Sequence, residues 1–582
     1  MPNPDRVGRA GWLLPLGLCL GLVLITLAVF AQTGEFEFLN FDDDLMISDN
    51  RQLQAGLSME GVRWAFAANL LYHDRGVEYW QPLTALTRLA DVEFYGFDAG
   101  RHHLTSVMIH IAAGLVLFGA MTALLRSSVR AAIIAAFFLI HPLHVEPVAW
   151  LSARKDLVNG LFYFATVWAY AWYAARRNSH RYAVVCVSFL CASMAKPMAI
   201  SLPLVLLLLD YWPLGRIGLQ RDYRRAFALL IEKVPFLLIA AGVSVLAIVG
   251  QHRHGAMGDA SMYPLAVRLG NAATAFCVYL GQTFVPVRLS VFYPHPGVAL
   301  DWSLALLSAG CCAAITALCV LQARARPWLL VGWGWYVIVL LPVSGIVQIG
   351  EMSRADRYTY VALVGIFVLI VQQGAEFLRP RGTTRHDSLA VRTAVALSVC
   401  AVIGAAAFLA WKQTATWQNS ISVFAHAIAV TDDNYVAHAN LGSALFAAGR
   451  REEGLKHYDE AVRLHQPAIK HHREAAAEAE KRGDVKRAAR HYGKILTVVP
   501  SDAEVRQLLG ELHYRSGDYA KALAQFNEAL RHNREAVPPR VAIARVLIAQ
   551  SRTDEARALL AAVLQTDPAN VEAAELLKQL TQ

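Results

Sequence analysis

The sequence predicts an all-α protein in two parts: a polytopic bundle of about eleven membrane-spanning helices, then an α-solenoid of paired helices in the last quarter. Three observations predict it. Of 582 residues, 56% are hydrophobic and only 17% charged, against roughly 45–50% and 25% in a soluble globular chain. Charged residues are sparse before residue 412 and dense after it. In that charged tail, small residues recur every 34 positions, which is the period of a repeat unit. An ordinary soluble enzyme and a disordered chain are both excluded.

Crossing a hydrocarbon core takes about 20 apolar residues. Such runs lie at 11–31, 105–125, 131–150, 157–175, 182–196, 198–214, 232–250, 302–322, 327–348, 358–378 and 391–411. The first lacks a small-residue cleavage site and is followed by many others, so it reads as a retained helix and not as a signal peptide. The boundaries expected from this are a membrane domain over 1–411, a connecting helix or linker over 412–434, and a repeat domain over 435–582.

Short basic loops set orientation, because Lys and Arg stay on the cytoplasmic side. Arg6 and Arg9 precede the first run, whereas Glu35, Glu37, Asp42, Asp43 and Asp44 follow it. Arg126 with Arg130, Arg176 with Arg177 and Arg181, and Arg216 with Arg221, Arg224 and Arg225 fall in alternate loops. The loop with Arg379, Arg381, Arg385 and His386 is equally basic. The amino terminus is therefore expected in the cytoplasm and the tail on the opposite side. Stretch 264–287 carries Arg268, Asn271 and Gln282 and reaches Pro286, so it reads as a re-entrant or interfacial helix on the outer side. If it spans, the parity reverses.

A net charge of +9 would suggest nucleic acid in a soluble protein. Here the excess sits in loops between apolar runs, so no nucleic-acid partner is expected. The eight cysteines all lie inside apolar runs, which is neither a disulfide framework nor a zinc pattern.

In the tail, Gly449, Gly483, Gly517 and Ser551 mark turns 34 residues apart. Gly442, Ala476, Gly510 and Ala544 recur in phase on first helices, and Gly454, Ala488, Ala522 and Ala556 on second helices. Tyr458, Tyr492, Phe526 and Leu560 follow as bulky partners, and Pro500 and Pro568 close two units. Small side chains let paired helices approach, and large ones fill the groove between neighbours. This pattern resembles the tetratricopeptide repeat, with four copies over about 435–568 and a capping helix over 569–581. The resemblance implies a protein or peptide partner on a concave face; the plainer reading is a brace for the membrane domain or a self-association surface. Lys481, Arg482, Lys486, Arg487 and Arg490 read as a solvated helix face.

Charges set into apolar surroundings need a reason, and three constellations on the expected outer side stand out. The first is Asn40-Phe41-Asp42-Asp43-Asp44. Crowded carboxylates raise one another's proton affinity, which suits a general base or metal ligand; the plainer reading is a solvated helix-capping turn. The second is His141-Pro142-Leu143-His144-Val145-Glu146, followed by Trp150, Arg154, Lys155 and Asp156. His144 and Glu146 are metal candidates of low specificity, because the spacing is not that of the zinc-protease helix. Arg154 and Lys155 run against the positive-inside preference, so they face a lipid phosphate or pair internally with Asp156. The third is Lys196 before Pro197 together with Asp356-Arg357-Tyr358. There Arg offers a phosphate-matched fork and Lys a point charge, unless each simply snorkels to headgroups.

The strings NFDDD, HPLHVEPVAWLSARKDLVNGLFYF, AKPMAISLPLVLLLLDYWPLGR and DRYTYVAL, ahead of the repeats, resemble the transmembrane and tetratricopeptide-repeat (TMTC-type) O-mannosyltransferase family and its bacterial relatives. These belong to the GT-C superfamily of glycosyltransferases. The resemblance covers nearly the whole chain. It implies a polyprenyl-phosphate-linked sugar, mannose in the family, as donor, and a Ser or Thr hydroxyl of an extracytoplasmic protein as acceptor. It implies inverting transfer, with the catalytic acids at Asp42 and Asp43; Asp44 is an additional acid that leaves the register open. Arg154, Lys155, Lys196 and Arg357 would meet the donor phosphate, and a divalent metal is optional, with His144 and Glu146 its candidates.

Two other classes compete with this one. A non-enzymatic scaffold would dock a protein partner through its repeats, and a polymerase or ligase would act on lipid-linked glycans. The short loops favour a bacterial inner membrane with periplasmic repeats over an endoplasmic reticulum membrane with luminal ones.

Overall fold

The computed structural model describes residues 10–71, 80–217, 223–254, 263–348, 350–378, 385–499 and 502–581. Arg6, Arg9, Arg221, Arg379, Arg381 and Pro500 lie outside the described residues. The chain divides into two compact units, Met1–Asp432 and Asp433–Gln582.

In the first unit the helices are α1 (Ala10–Phe30), α2 (Met59–Leu71), α3 (Pro82–Tyr95), α4 (Ala99–Leu125), α5 (Ser128–Ile140), α6 (Val145–Ala149), α7 (Arg154–Ala175) and α8 (Ser179–Ala195). They continue as α9 (Leu202–Tyr211), α10 (Tyr223–His254), α11 (Leu265–Phe284), α12 (Trp302–Leu321), α13 (Pro327–Leu340), α14 (Thr359–Phe377), α15 (Arg385–Ala415) and α16 (Ser420–Val430). Strand β1 (Tyr293–Pro294) pairs antiparallel with β2 (Met352–Arg354), setting Tyr293 opposite Arg354.

Among the described residues six segments are long and apolar enough to cross a membrane: Leu13–Glu35, Ala99–Leu125, Tyr223–Leu246, Trp302–Leu321, Asp356–Phe377 and Thr393–Ala415. A seventh is added if α5 and Pro142–Ala149, bent by 58° at their junction, form one span. The other expected runs behave differently for local reasons. Helix α8 stops at Ala195 because Pro197 comes next but one, and α9 stops at Tyr211 ahead of Pro213; the residue before a proline is disfavoured in helix. Both are therefore short. Helices α7 and α11 have the length but carry more polar side chains, Asn159 in one and Asn271 and Gln282 in the other, all buried. Stretch 264–287 is one continuous helix up to Phe284. The chain is an integral membrane protein.

One buried polar knot fastens α7, α9 and α10 to one another. Arg216 Nη1 lies 2.9 Å from Asp210 Oδ1, and Arg216 Nη2 lies 2.6 Å from Glu232 Oε2. Lys233 Nζ is 2.9 Å from both Asp210 Oδ2 and Glu232 Oε1, and Tyr170 donates to Asp210 Oδ1 at 2.7 Å. Two cations thus offset two anions where water is scarce. Asp210 and Arg216 are the two charged residues of the DYWPLGR string.

The second unit is helical throughout its described length: α17 (Tyr435–Ala447), α18 (Arg451–Lys481), α19 (Val485–Val498), α20 (Ala503–Arg515), α21 (Tyr519–His532), α22 (Val537–Ala549), α23 (Thr553–Thr566) and α24 (Val571–Gln579). The 34-residue lattice has a backbone cause. Gly449, Gly483 and Gly517 take φ of 79°, 72° and 77°, and Ser551 takes 60°. Each turn needs the left-handed region that glycine enters without steric cost. Asp484, Asp502, Asp518 and Asn570 each cap the next helix by accepting a backbone N–H. The first repeat departs from the pattern, because its second helix runs straight into the next repeat as α18, over 31 residues. Sequence 464–471 offers no Ser, Thr, Asp or Asn to open a new helix.

Candidate active site

The acidic turn is shaped by the chain just beyond α1. After an extended stretch the backbone folds back so that Leu39 N donates to Asp43 Oδ2 at 3.1 Å and Met46 N to the Asp42 carbonyl at 2.8 Å. Asp42 has φ +67°, in the left-handed region that Asp tolerates better than most non-glycine residues. Asp42 is half-buried, whereas Asp43 is 0% exposed.

Asp43 clasps the turn onto the loop before α7. Its Oδ1 accepts from Ser152 N at 2.9 Å and from Ser152 Oγ at 2.6 Å. Burial pushes its carboxyl up to about 7, against the opposing pull of those donors, of Leu39 N and of the Arg88 charge. Burial also raises Asp44, with Asp42 and Asp49 adding repulsion. Arg88, buried on α3, is lowered to about 10 by burial and then by its neighbour Arg154, while the charges of Asp43, Asp42 and Asp91 oppose the shift.

Trp150 connects this turn to the basic residues. Its Nε1 donates to the Phe41 carbonyl at 2.9 Å, and its ring stacks on Phe41 with centroids 5.2 Å apart. The Arg357 guanidinium carbon lies 5.1 Å from the same indole centroid and 5.1 Å from that of Tyr358. Arg357 is oriented by Glu146: Nη1 pairs with Oε1, and the Arg357 backbone N–H donates to Oε2 at 2.7 Å. Its Nη2 meets the Met352 thioether at 3.3 Å, a weak acceptor that an anionic oxygen would readily displace. Lys196 Nζ binds Asp156 Oδ1 at 2.6 Å and lies 5.5 Å from the Tyr358 ring centroid, with 13% of its side chain exposed. Phe41, next to Asp42 in the turn, thus joins through Trp150, Arg357 and Tyr358 to Lys196 in one chain of contacts.

Two expectations are corrected. Arg154 is 0% exposed, and its guanidinium is committed to Asp91 Oδ2 at 2.5 Å, Ser106 Oγ at 3.1 Å and the His102 carbonyl at 2.6 Å. It holds α3, α4 and α7 together and does not face a donor phosphate; Lys155 beside it is half-buried. The metal candidates His144 and Glu146 do not converge. His144 Nδ1 donates to the Phe138 carbonyl at 2.7 Å and Glu146 is taken by Arg357. Among the described residues no group of three or more His, Cys, Asp or Glu is placed to hold a metal.

Sequence reasoning passed over Arg88, Asp91 and Ser152. The Arg88-x-x-Asp91 spacing puts both charges on one face of α3, a signal that lies outside the long apolar runs. Trp150 was visible, but its bridging role depends on a fold-back that no local pattern encodes.

A membrane-embedded helical unit with clustered acids and cations, followed by helical-hairpin repeats, defines the class of molecule. Tetratricopeptide-repeat family models match residues 473–538 and 514–580. The chain is 24% identical to Protein O-mannosyl-transferase TMTC4 of Homo sapiens, over 78% of this chain and 67% of that protein. It is 24% identical to Protein O-mannosyl-transferase Tmtc3 of Drosophila melanogaster, over 73% of this chain and 53% of that one, so it spans about half the length of this relative. Among solved structures, ArnT from Cupriavidus metallidurans bound to undecaprenyl phosphate aligns over 81% of each chain, at 15% identity and a TM-score of 0.36. The resemblance to the TMTC-type family holds over some three quarters of the chain, and the tail is a tetratricopeptide-repeat array.

Proposed function

We propose that the protein is a membrane glycosyltransferase that moves a sugar, mannose by the names of its relatives, from a polyprenyl phosphate to Ser or Thr hydroxyls of extracytoplasmic proteins. The observation that carries the reading is the contact path from the Asp42 turn through Trp150 to Arg357. It joins a candidate base to a candidate cation for the leaving group.

In this reading Asp42 takes the proton from the acceptor hydroxyl as its oxygen attacks the anomeric carbon. Asp42 is the half-buried acid of the pair, while both oxygens of Asp43 are spent on Ser152 and Leu39. The bond from the anomeric carbon to the phosphate oxygen breaks, and the sugar inverts. Arg357 Nη2 and the remaining N–H donors of Lys196 meet the charge gathering on the polyprenyl phosphate. The repeats recruit the acceptor. The basic loops favour acids and repeats opposite the cytosol, in the periplasm if the source is bacterial.

Protein reconstituted in nanodiscs with undecaprenyl-phosphate mannose and Ser/Thr-rich peptides tests this. Asp42→Asn is expected to lower transfer by ~10²–10⁴-fold, while peptides with Ala at every Ser and Thr stay unmodified. Transfer by Asp42→Asn at the wild-type rate overturns the assignment.

A further inference from the structure

The geometry points to α16 as a positioning element for the transfer reaction: Phe424 and Ser420 hold the turn that carries Asp42 in its working conformation without touching substrate. This inference rests on the reading of Asp42 as the base.

Segment 412–434 is expected from sequence only to connect two domains. Its helix α16 instead packs within the membrane unit and buries Val423, Phe424 and Ala427. An N-cap fixes where it begins: Asn419 Oδ1 accepts from Ser422 N at 2.9 Å, and Ser422 Oγ from Asn419 N at 3.1 Å. His426 Nε2 lies 3.0 Å from the Leu289 carbonyl and holds the far end. The helix is thus fixed before it meets the acidic turn.

Three contacts then join it to that turn. Glu37 N donates to the Gln418 carbonyl at 3.0 Å, Asn40 N donates to Ser420 Oγ at 3.0 Å, and the Phe424 ring meets Phe41 edge to face at 5.8 Å. Phe41 is therefore gripped from two directions, by Phe424 of α16 and by the stacked Trp150. On the other side of Asp42, the neighbouring Asp43 is clasped by Ser152. Asp42 is bracketed by fixed residues while its own backbone sits at φ +67°. Such a conformation is held in place by its neighbours, and the contacts from α16 supply part of that hold. Displacement of a reacting group by about 1 Å can cost ~10²-fold in rate.

The test uses the full chain in nanodiscs, with undecaprenyl-phosphate mannose and a Ser/Thr-rich peptide as substrates, and backbone hydrogen exchange over residues 36–45 as a readout independent of activity. Phe424→Ala and Ser420→Ala are expected to speed exchange across that segment. They should lower kcat about 10- to 100-fold while leaving KM for the lipid donor unchanged, because Arg357 and Lys196 are untouched. Ser420→Thr, which keeps the hydroxyl, should restore both. Wild-type exchange in Phe424→Ala overturns the inference whatever the activity, and so does wild-type kcat in Phe424→Ala beside an inactive Asp42→Asn. A fully active Asp42→Asn removes the base itself, and the exchange arm then decides whether α16 holds the turn.

Discussion

Asp43 illustrates how one side chain can be read in two ways. From sequence it is half of an acidic pair; in the fold it is the pin of a clasp, with Ser152 and Leu39 as its sockets. The run of three aspartates is legible because repeated charge after a span is conspicuous. Which acid is buried in the clasp is not legible, because it depends on Ser152, more than a hundred residues away. Arg154 shows the same limit: a cation near the membrane surface looks ligand-facing until Asp91 and the His102 carbonyl are seen to occupy it. The burial that raises Asp43 to about 7 has a measurable consequence. A carboxyl raised above its unfolded value contributes stability that is complete below that value of about 3.9 and is lost as pH rises from there through about 7. Asp43→Asn does not titrate and should be less stable than wild type at pH 5.5. The gap should narrow by on the order of 1–3 kcal/mol at pH 8.5, measured by thermal melts at both values.

Among elements, the repeat array was the most legible, because its period arises from a backbone requirement at Gly449, Gly483 and Gly517. Helices α8 and α9 were less so, since an apolar run reads alike whether or not a proline cuts it short. The repeat lattice also carries a feature that composition hides. His438 Nδ1 and His457 Nδ1 stand 3.1 Å apart between α17 and α18, and 34 residues on His472 and His491 repeat the pair at 3.1 Å. The third copy is Arg506 with Gln525 at 3.2 Å. At this distance one imidazole donates and the other accepts, so the accepting ring is neutral and the two cannot both be protonated without losing the bond. Burial lowers His438 and His457; the His457 charge adds to the shift in His438, while Glu460 and Glu453 oppose. A histidine lowered on folding contributes stability present above its unfolded pKa of about 6.5 and lost as pH falls below it. Hydrogen exchange over α17 and α18 in the full chain, corrected for intrinsic rates, should therefore be faster at pH 5.5 than at pH 7.5. His457→Gln, which keeps a partner but cannot titrate, should flatten the difference; an unchanged pH response in that variant would reject the pair as its source.

For the whole molecule, the sequence announces a lipid-adapted front and a water-adapted tail, and the chain divides into two compact units between Asp432 and Asp433. Composition carried that division. It did not carry the number of crossings, because α7 and α11 bury amides in a bundle that a hydropathy run cannot see. Sidedness is open to direct labelling. Single cysteines at Glu37 and Gly449, in a background stripped of the eight native ones, are expected to react with an impermeant thiol reagent from the same side of sealed vesicles. One at Arg126 should react from the opposite side; labelling of Glu37 and Gly449 from opposite faces would break the proposed shared compartment. The knot of Tyr170, Asp210, Arg216, Glu232 and Lys233 constrains how the chain can change. Its charges cancel as a set, so deleting one strands its opposite number in a medium that cannot solvate it. Asp210→Asn or Lys233→Met alone should cut the folded yield sharply, and the double variant should recover much of it. Drift at these positions is therefore permitted only in matched steps, and a lineage that lost one partner would be expected to have surrendered the other.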